Sequence, residues 1–451
     1  YQGSDINNTS TIAALTGVNP DATRAFITPT TNPISNAQGV FNIASEDSFG
    51  AVLDATGGVR DGTGVPNIPG TDIPVAQVID QPFTGVPRVY DPGVVSNVSQ
   101  AFGIGDGLQS VRQSLLPEQD RYSINLNGSF AVTELMSIFL ESKYAYSENS
   151  NIQNVDFNDG IPIAYDNPYL PPVLQQQIAD LQTAGVIGPD PGDGSFYGFT
   201  AQRDSDDPQV MPRDDVERET VRIVVGIEGE IPLADGMQYE VSYNYGRTDV
   251  RTNNINLRLE DRFYAAMDAV EDPATGEIVC RSNLDPSALP PVSNFTFPYP
   301  VFGDPATGRF SEFVSFTPGP ESGCVPFNPL GLNSTTQAYA DFVYVDAVDK
   351  SELEQNVFLA SLAGTTSAWF SLPGGPMGWA VGYEYREEKS KFVVNDFEGT
   401  LNTWDGSNGN AVSGLEGEFD VSEFFFEVQA PILADVAGAE ILEVTAAARF
   451  S

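Results

Sequence analysis

The chain has 451 residues, with 62 acidic against 21 basic side chains, a formal charge of −41, two cysteines and no histidine. That balance excludes nucleic-acid binding, which needs clustered Lys and Arg. It also closes the histidine-dependent routes to an activated nucleophile and leaves two cysteines short of a zinc site. No apolar run approaches the roughly 18–20 residues that a membrane-spanning helix requires, which leaves membrane-spanning strands untouched.

Residues 1–113 are rich in Gly, Pro, Asn, Asp and Thr and hold few alternating runs. We read 1–120 as an extracellular loop region with candidate short strands or local turns at 41–43 and 52–53; an independent disordered linker is the other reading. The first clear strand pair is 121–132 with 134–146. Tyr122, Ile124, Leu126 and Phe130 alternate with Ser123, Asn125, Asn127 and Ser129, and Met136, Ile138 and Leu140 follow the same rule. Period-two alternation places each set on one face of a strand. Phe139 breaks the polar set. In the loop 147–215 that follows, Leu174, Ile178 and Leu181 have helical spacing and predict a short amphipathic helix over 172–185, its stripe packed on the loop itself.

The pair within 217–247 is the cleanest. Val221, Ile223, Val225 and Ile227 alternate with Thr220, Arg222, Gly226 and Glu228, Val224 being the exception; after the turn 232–236, Tyr239, Val241, Tyr243 and Tyr245 alternate with polar residues. The loop 252–350 predicts helices over 262–270 and over 335–343, the second capped by Ser334, whose hydroxyl can accept a first-turn N–H. Cys280 and Cys324 both fall in this loop. An even count in an exported chain points to a disulfide that tethers the loop; two separate thiols are the alternative.

A third pair spans 352–363 and 378–394, joined through the breaker Pro373-Gly-Gly-Pro376. Its first strand is ambiguous, with Val357 and Leu359 on one face and Phe358 and Leu362 on the other. Its second is clear: Trp379, Val381, Tyr383 and Tyr385 oppose Ala380, Gly382, Glu384 and Arg386. After the loop 397–416, the last pair is 421–430 with 441–450. Phe424, Phe426 and Val428 share a face, as do Leu442, Val444, Ala446, Ala448 and Phe450.

Short turns alternating with long loops suit a membrane barrel, whereas a soluble sandwich rarely separates hairpins by such loops. The expected fold is therefore all-β: an antiparallel transmembrane β-barrel segment over 121–451, with long extracellular loops carrying short helices. Arg218, Arg222, Glu384, Arg386 and Arg449 would face the interior. The aromatic rows Tyr239/Tyr243/Tyr245 and Trp379/Tyr383/Tyr385 admit two readings, a lipid-facing girdle or a ligand-stacking surface. The acids of the loops likewise read as a solvated surface or as holders of divalent cations. Asp156–Gly160 and Asp190–Gly194 are faintly like calcium loops, but neither keeps the full ligand spacing.

Four stretches carry a family likeness. Residues 115–121, Leu-Leu-Pro-Glu-Gln-Asp-Arg, lead into a strand. Residues 267–281 and 323–331 carry the two cysteines, the latter as Gly-Cys-Val-Pro-Phe-Asn-Pro-Leu-Gly. Residues 378–388, Gly-Trp-Ala-Val-Gly-Tyr-Glu-Tyr-Arg-Glu-Glu, and the hairpin of 421–428 with 442–450 complete the set. Together they resemble TonB-dependent outer-membrane receptors of the kind found in caulobacters and sphingomonads. The resemblance covers residue 115 to the end. It implies a barrel of about 22 strands with a plugged lumen, of which this chain supplies about eight strands in four hairpins.

It further implies the outer membrane of a Gram-negative bacterium, contact with its lipid and lipopolysaccharide, and energised import of a siderophore, cobalamin, oligosaccharide or peptide. No cofactor and no catalysis are implied. Ligand contacts are expected near Cys280 and Cys324. The family's plug, its TonB-contacting segment and its closing strands have no counterpart here, and the sequence at both termini looks cut, so an internal piece of a longer exported protein is expected. The reading from a different class is a secreted acidic β-rich surface or adhesion protein.

Overall fold

The structure, a computed structural model, describes residues 116–153, 156–164, 166–185, 199–204, 207–232, 236–288, 315–330, 334–398, 402–403 and 412–451, with short pieces before residue 103. Eight long strands dominate it: β1 (Glu118–Thr133), β2 (Met136–Ile152), β3 (Arg213–Glu230), β4 (Gln238–Arg258), β5 (Tyr344–Thr365), β6 (Gly378–Val393), β7 (Leu415–Val436) and β8 (Ala439–Phe450). They form one antiparallel sheet in which neighbours in sequence are neighbours in space, with β1 and β8 at its edges. All four predicted pairs are present. The strands run further into the loops than alternation alone indicated, because a charged residue pairs across a ladder as well as an apolar one.

Register sorts the side chains. Residues directly opposite one another share a face, so one row can be followed across the whole sheet: Phe130, Ile138, Ile227, Val241, Ala360, Tyr383, Phe424 and Phe450. Every member is apolar or aromatic. The ambiguous strand is resolved by the same pairing, since Phe358 lies opposite Tyr243 and Tyr385, while Val357 and Leu359 go to the polar face. The aromatic rows of β4 and β6 lie on the apolar face with Ile223, Val225 and Ile227.

The apolar side chains of that face are not covered: Ile124 is 69% exposed, Phe130 71% and Phe450 64%. The buried core sits in the loops instead. There α1 (Pro172–Thr183), α2 (Glu260–Met267) and α4 (Gln337–Val343) pack together, and α3 (Arg281–Leu284) follows the buried Cys280. α1 buries Leu174, Ile178 and Leu181, the predicted stripe. Three sequence expectations need correction. α2 begins and ends earlier than 262–270, because Ala269–Glu271 leaves the helix to pair with Ile278–Cys280. The cap of α4 is Thr336, whose hydroxyl accepts from Tyr339 N–H, and not Ser334. The loops after β4 and before β5 are also shorter than 252–350, because those strands reach Arg258 and begin at Tyr344.

The expected strand at 41–43 is present as Val40–Ile43, in a five-stranded sheet with Phe157–Pro162, Phe199–Asp204, Ala76–Ile79 and Pro87–Val89. Part of residues 1–120 is thus joined by backbone pairing to the loop between β2 and β3. The expected strand at 52–53 lies outside the described residues.

Candidate functional site

Two surfaces hold the polar chemistry: the face of the sheet opposite the apolar row, and the loop cap above it. On the polar face, contacts run sideways from β2 to β6. Glu141 lies 3.5 Å from Arg222 Nη1, and Arg222 Nε donates to Asn244 Oδ1 at 2.8 Å. Asn244 Nδ2 donates to Gln355 Oε1 at 3.5 Å, Gln355 Nε2 to Glu388 Oε1 at 3.0 Å, and Arg386 stands 3.4 Å from the same carboxylate. From Glu141 to Glu388 each member is the cross-strand or diagonal neighbour of the next, a direct product of register, and Arg386 joins from two residues away on the same strand as Glu388. Near the β8 edge Arg449 contacts Glu384 at 3.1 Å and pairs with Glu423, which also accepts from Ser451 Oγ at 2.6 Å.

The five residues expected to face inward therefore share this face. Arg222 and Arg386 belong to the ladder, Glu384 and Arg449 to the edge cluster, and Arg218 lies in the row of Ser147 and Val250. Glu387 and Glu388, adjacent in sequence, separate: Glu387 pairs with Lys389 at 3.4 Å on the other face.

Phe139, the exception to the polar set, lies opposite Gly226, and a Cβ there would strike its ring. Phe425 repeats the arrangement over Gly382. An aromatic ring covering a glycine on the next strand restores packing where the glycine supplies no side chain. Sequence reading missed both partners. The signal was there, an aromatic in a polar set with Gly in the neighbouring strand's polar set, but it needs the register to be read.

The cap is joined to β4 at a bulge. Asn256 adopts φ 59°, its N–H donates to Asp346 Oδ1 at 3.2 Å and its Nδ2 to the Met211 carbonyl at 2.9 Å. The short polar side chain makes this left-handed conformation tolerable. Just beyond, the buried Arg258 guanidinium stacks 4.0 Å over Phe263, donates to Glu260 at 2.6 Å and lies 3.8 Å from Asp156. Burial pushes the Glu260 carboxyl above its ordinary range, against the pull of Arg258. Asp156, first residue of the calcium-like stretch 156–160, thus faces a guanidinium; the stretch 190–194 lies outside the described residues. Asp261 ties three loops together, accepting from Ser315 Oγ at 2.9 Å and Asn402 Nδ2 at 2.8 Å.

Cys280 and Cys324 form a disulfide, Cα–Cα 6.2 Å, across 44 residues of sequence. Both cysteines are buried, so the bridge is part of the cap's core and its surface contacts must come from exposed neighbours such as Ile278 and Leu284. Beside it Arg281 spans Asp166 and Asp268, at 2.8 Å from Asp166 Oδ2 and 3.1 Å from Asp268 Oδ1. Burial raises the Asp268 carboxyl to about 6, although Arg281 pulls it down. Among the described residues no three His, Cys, Asp or Glu side chains converge to hold a metal ion.

No protein-family model and no curated protein sequence matches the chain.

Proposed function

We propose that the chain forms part of the wall of an outer-membrane β-barrel of the TonB-dependent receptor kind, whose work is energised import of a scarce ligand. One observation carries this reading: an eight-stranded up-and-down sheet leaves its apolar face uncovered while its other face is cross-linked by polar and charged groups. Monomeric soluble proteins seldom expose apolar patches beyond a few hundred Å². A bilayer removes the anomaly, because lipid is the partner that such a face fits. The dimensions agree. From Tyr122 to Val132 the strand rises about 34 Å at about 3.4 Å per residue, and a tilt of about 45° reduces this to about 24 Å, against an apolar band of about 25 Å in barrels of this type.

On this reading the ladder from Glu141 to Arg386 lines the interior, and its charges either meet water or bond a plug. The disulfide-tethered cap stands on the extracellular side and takes part in ligand capture. The ligand classes in play are siderophore, cobalamin, oligosaccharide and peptide. Strand edges in lipid leave N–H and C=O groups unsatisfied at several kcal/mol each, so the wall closes only when the edges at β1 and β8 find partners.

Quenching by brominated lipid tests the reading. In a variant keeping Trp379 as its one tryptophan, outer membranes doped with brominated lipid should quench the emission strongly, since Trp379 shares the apolar face. Unquenched Trp379, or recovery of the protein from culture supernatant in place of outer membrane, would overturn the proposal in favour of a secreted surface protein.

A further inference from the structure

The polar face of the sheet is divided by charge. On its β6–β8 half Glu384, Glu388, Glu423 and Glu427 outnumber Arg386 and Arg449, and each of these two arginines already meets a carboxylate. On the β1–β3 half the balance is reversed. Arg121 and Arg218 stand in one cross-strand row, on either side of Ser147. Two rows away Lys143 and Arg222 stand directly opposite each other. Between the levels of Asp214 and Glu228, the one carboxylate on this face of the three strands is Glu141, 3.5 Å from Arg222. Four cations against one carboxylate is a local excess of positive charge in a chain whose formal charge is −41.

All four basic side chains are exposed, and among the described residues Arg121, Lys143 and Arg218 have no carboxylate within ion-pair distance. The acids nearest to them in sequence do not help. Asp120, Glu148, Glu217 and Glu219 stand on the other face, where register places Asp120 and Glu217 opposite Glu148, and Glu219 opposite Tyr146. Like charges directly opposed on one face repel. An anion laid over Lys143 and Arg222 turns that repulsion into charge-assisted contacts.

Spacing narrows the anion. Strands lie about 4.8 Å apart and residues rise about 3.4 Å, so Arg121 and Arg218 are separated by about 10 Å, and Arg218 and Arg222 by about 14 Å. The row between them holds only small side chains, Ser123, Ala145, Thr220 and Thr248. Their hydroxyls donate to anionic oxygens. Thr220 and Thr248 lie 3.1 Å apart at Oγ1, so one spends its proton on the other and the second proton is left for a ligand. Guanidinium groups match carboxylate and phosphate alike. A neutral sugar would draw nothing from the cations, whereas a molecule with several charges spread over about 10 Å engages both rows.

We propose that this patch binds a small polyanion, a molecule carrying several carboxylate or phosphate groups, and that the ligand imported along this wall is of that class. The inference rests on the barrel reading above and narrows its ligand to an anionic one.

The test titrates the full chain, in a non-ionic detergent, with myo-inositol hexakisphosphate, with citrate and with the neutral sugar raffinose, by calorimetry. One or both anions should bind at least about tenfold more tightly than raffinose, and the tighter of the two tells phosphate from carboxylate. Arg121→Gln/Arg218→Gln should weaken that binding about tenfold, and Glu141→Gln should strengthen it about threefold. Arg251→Gln/Lys350→Gln, which removes the same charge from the other face, should bind as the parent does. Anions that bind no better than raffinose, an undiminished Arg121→Gln/Arg218→Gln variant, or an equal loss in the other-face variant would each overturn the proposal. Tighter binding of hexaglutamate than of either anion would assign the patch to an acidic polypeptide and overturn it too. Quenching of Trp379 by brominated lipid separates the two failures: quenching without polyanion binding refutes the patch alone, and absence of quenching refutes the barrel reading whatever the binding.

Discussion

The sheet and the cap are inverted with respect to each other. In the cap, Phe263, Leu174 and the disulfide are buried and charges lie outermost, apart from those in paired networks. In the middle of the sheet, among the described residues, Val224 is the one apolar side chain fully buried, while Phe130, Ile124 and Phe424 stand in the open. One chain thus obeys two rules of burial. The difference teaches that the loops hide their apolar side chains while the strands leave theirs uncovered, and that a hydropathy average over both describes neither.

The contrast can be broken most severely from the cap. Phe263→Ala removes a ring 1% exposed that packs under Arg258 and should cost about 3–5 kcal/mol. Limited proteolysis should then cut within 259–343 while β1–β3 stay protected; equal loss of protection in both regions would show that they do not fold separately.

The next effect comes from pH. Asp268, with a folded value of about 6 against an ordinary value of about 3.9, holds its proton more tightly in the fold. Its contribution is present in full below about pH 4, falls as pH rises through about 6, and is flat above, a change of about 3 kcal/mol. Denaturant midpoints of the cap from pH 4 to 7 should show this slope, and Asp268→Asn should flatten it.

From the sheet side, Val225→Arg places a charge in the apolar row. It should cost about 2–4 kcal/mol in a bilayer and within about 0.5 kcal/mol if that face meets water. Urea titration of the protein in liposomes decides between them. The smallest effect is expected for Gly382→Val, where the new side chain collides with the Phe425 ring. Overpacking of this kind costs about 1–3 kcal/mol. Adding Phe425→Ala should recover most of it, which Phe139→Ala should not.

Much of the sheet was legible because alternation is a local property. Val221 through Ile227 and Tyr239 through Tyr245 declare their faces without reference to any partner. The α1 stripe of Leu174, Ile178 and Leu181 is legible for the same reason at helical period. The ambiguous β5 was not, since Val357 and Phe358 are equally apolar and only the opposing Tyr243 and Tyr385 assign them. The polar ladder was legible in its members but not its links. Arg222 and Arg386 could be placed on a face, whereas the chain of contacts through Asn244 and Gln355 depends on how four strands align.

The sequence by itself determined the eight long strands, the two faces of all of them but β5, three of the four short helices of the loops and the presence of two cysteines within one loop. Tertiary structure alone decided that the cysteines join inside a buried core, that Thr336 rather than Ser334 caps α4, and that Lys143 and Arg222 confront each other. The reason is range. Periodicity is written within a few residues, but register, core assembly and opposed charges arise from residues tens to hundreds of positions apart, whose pairing no local pattern records.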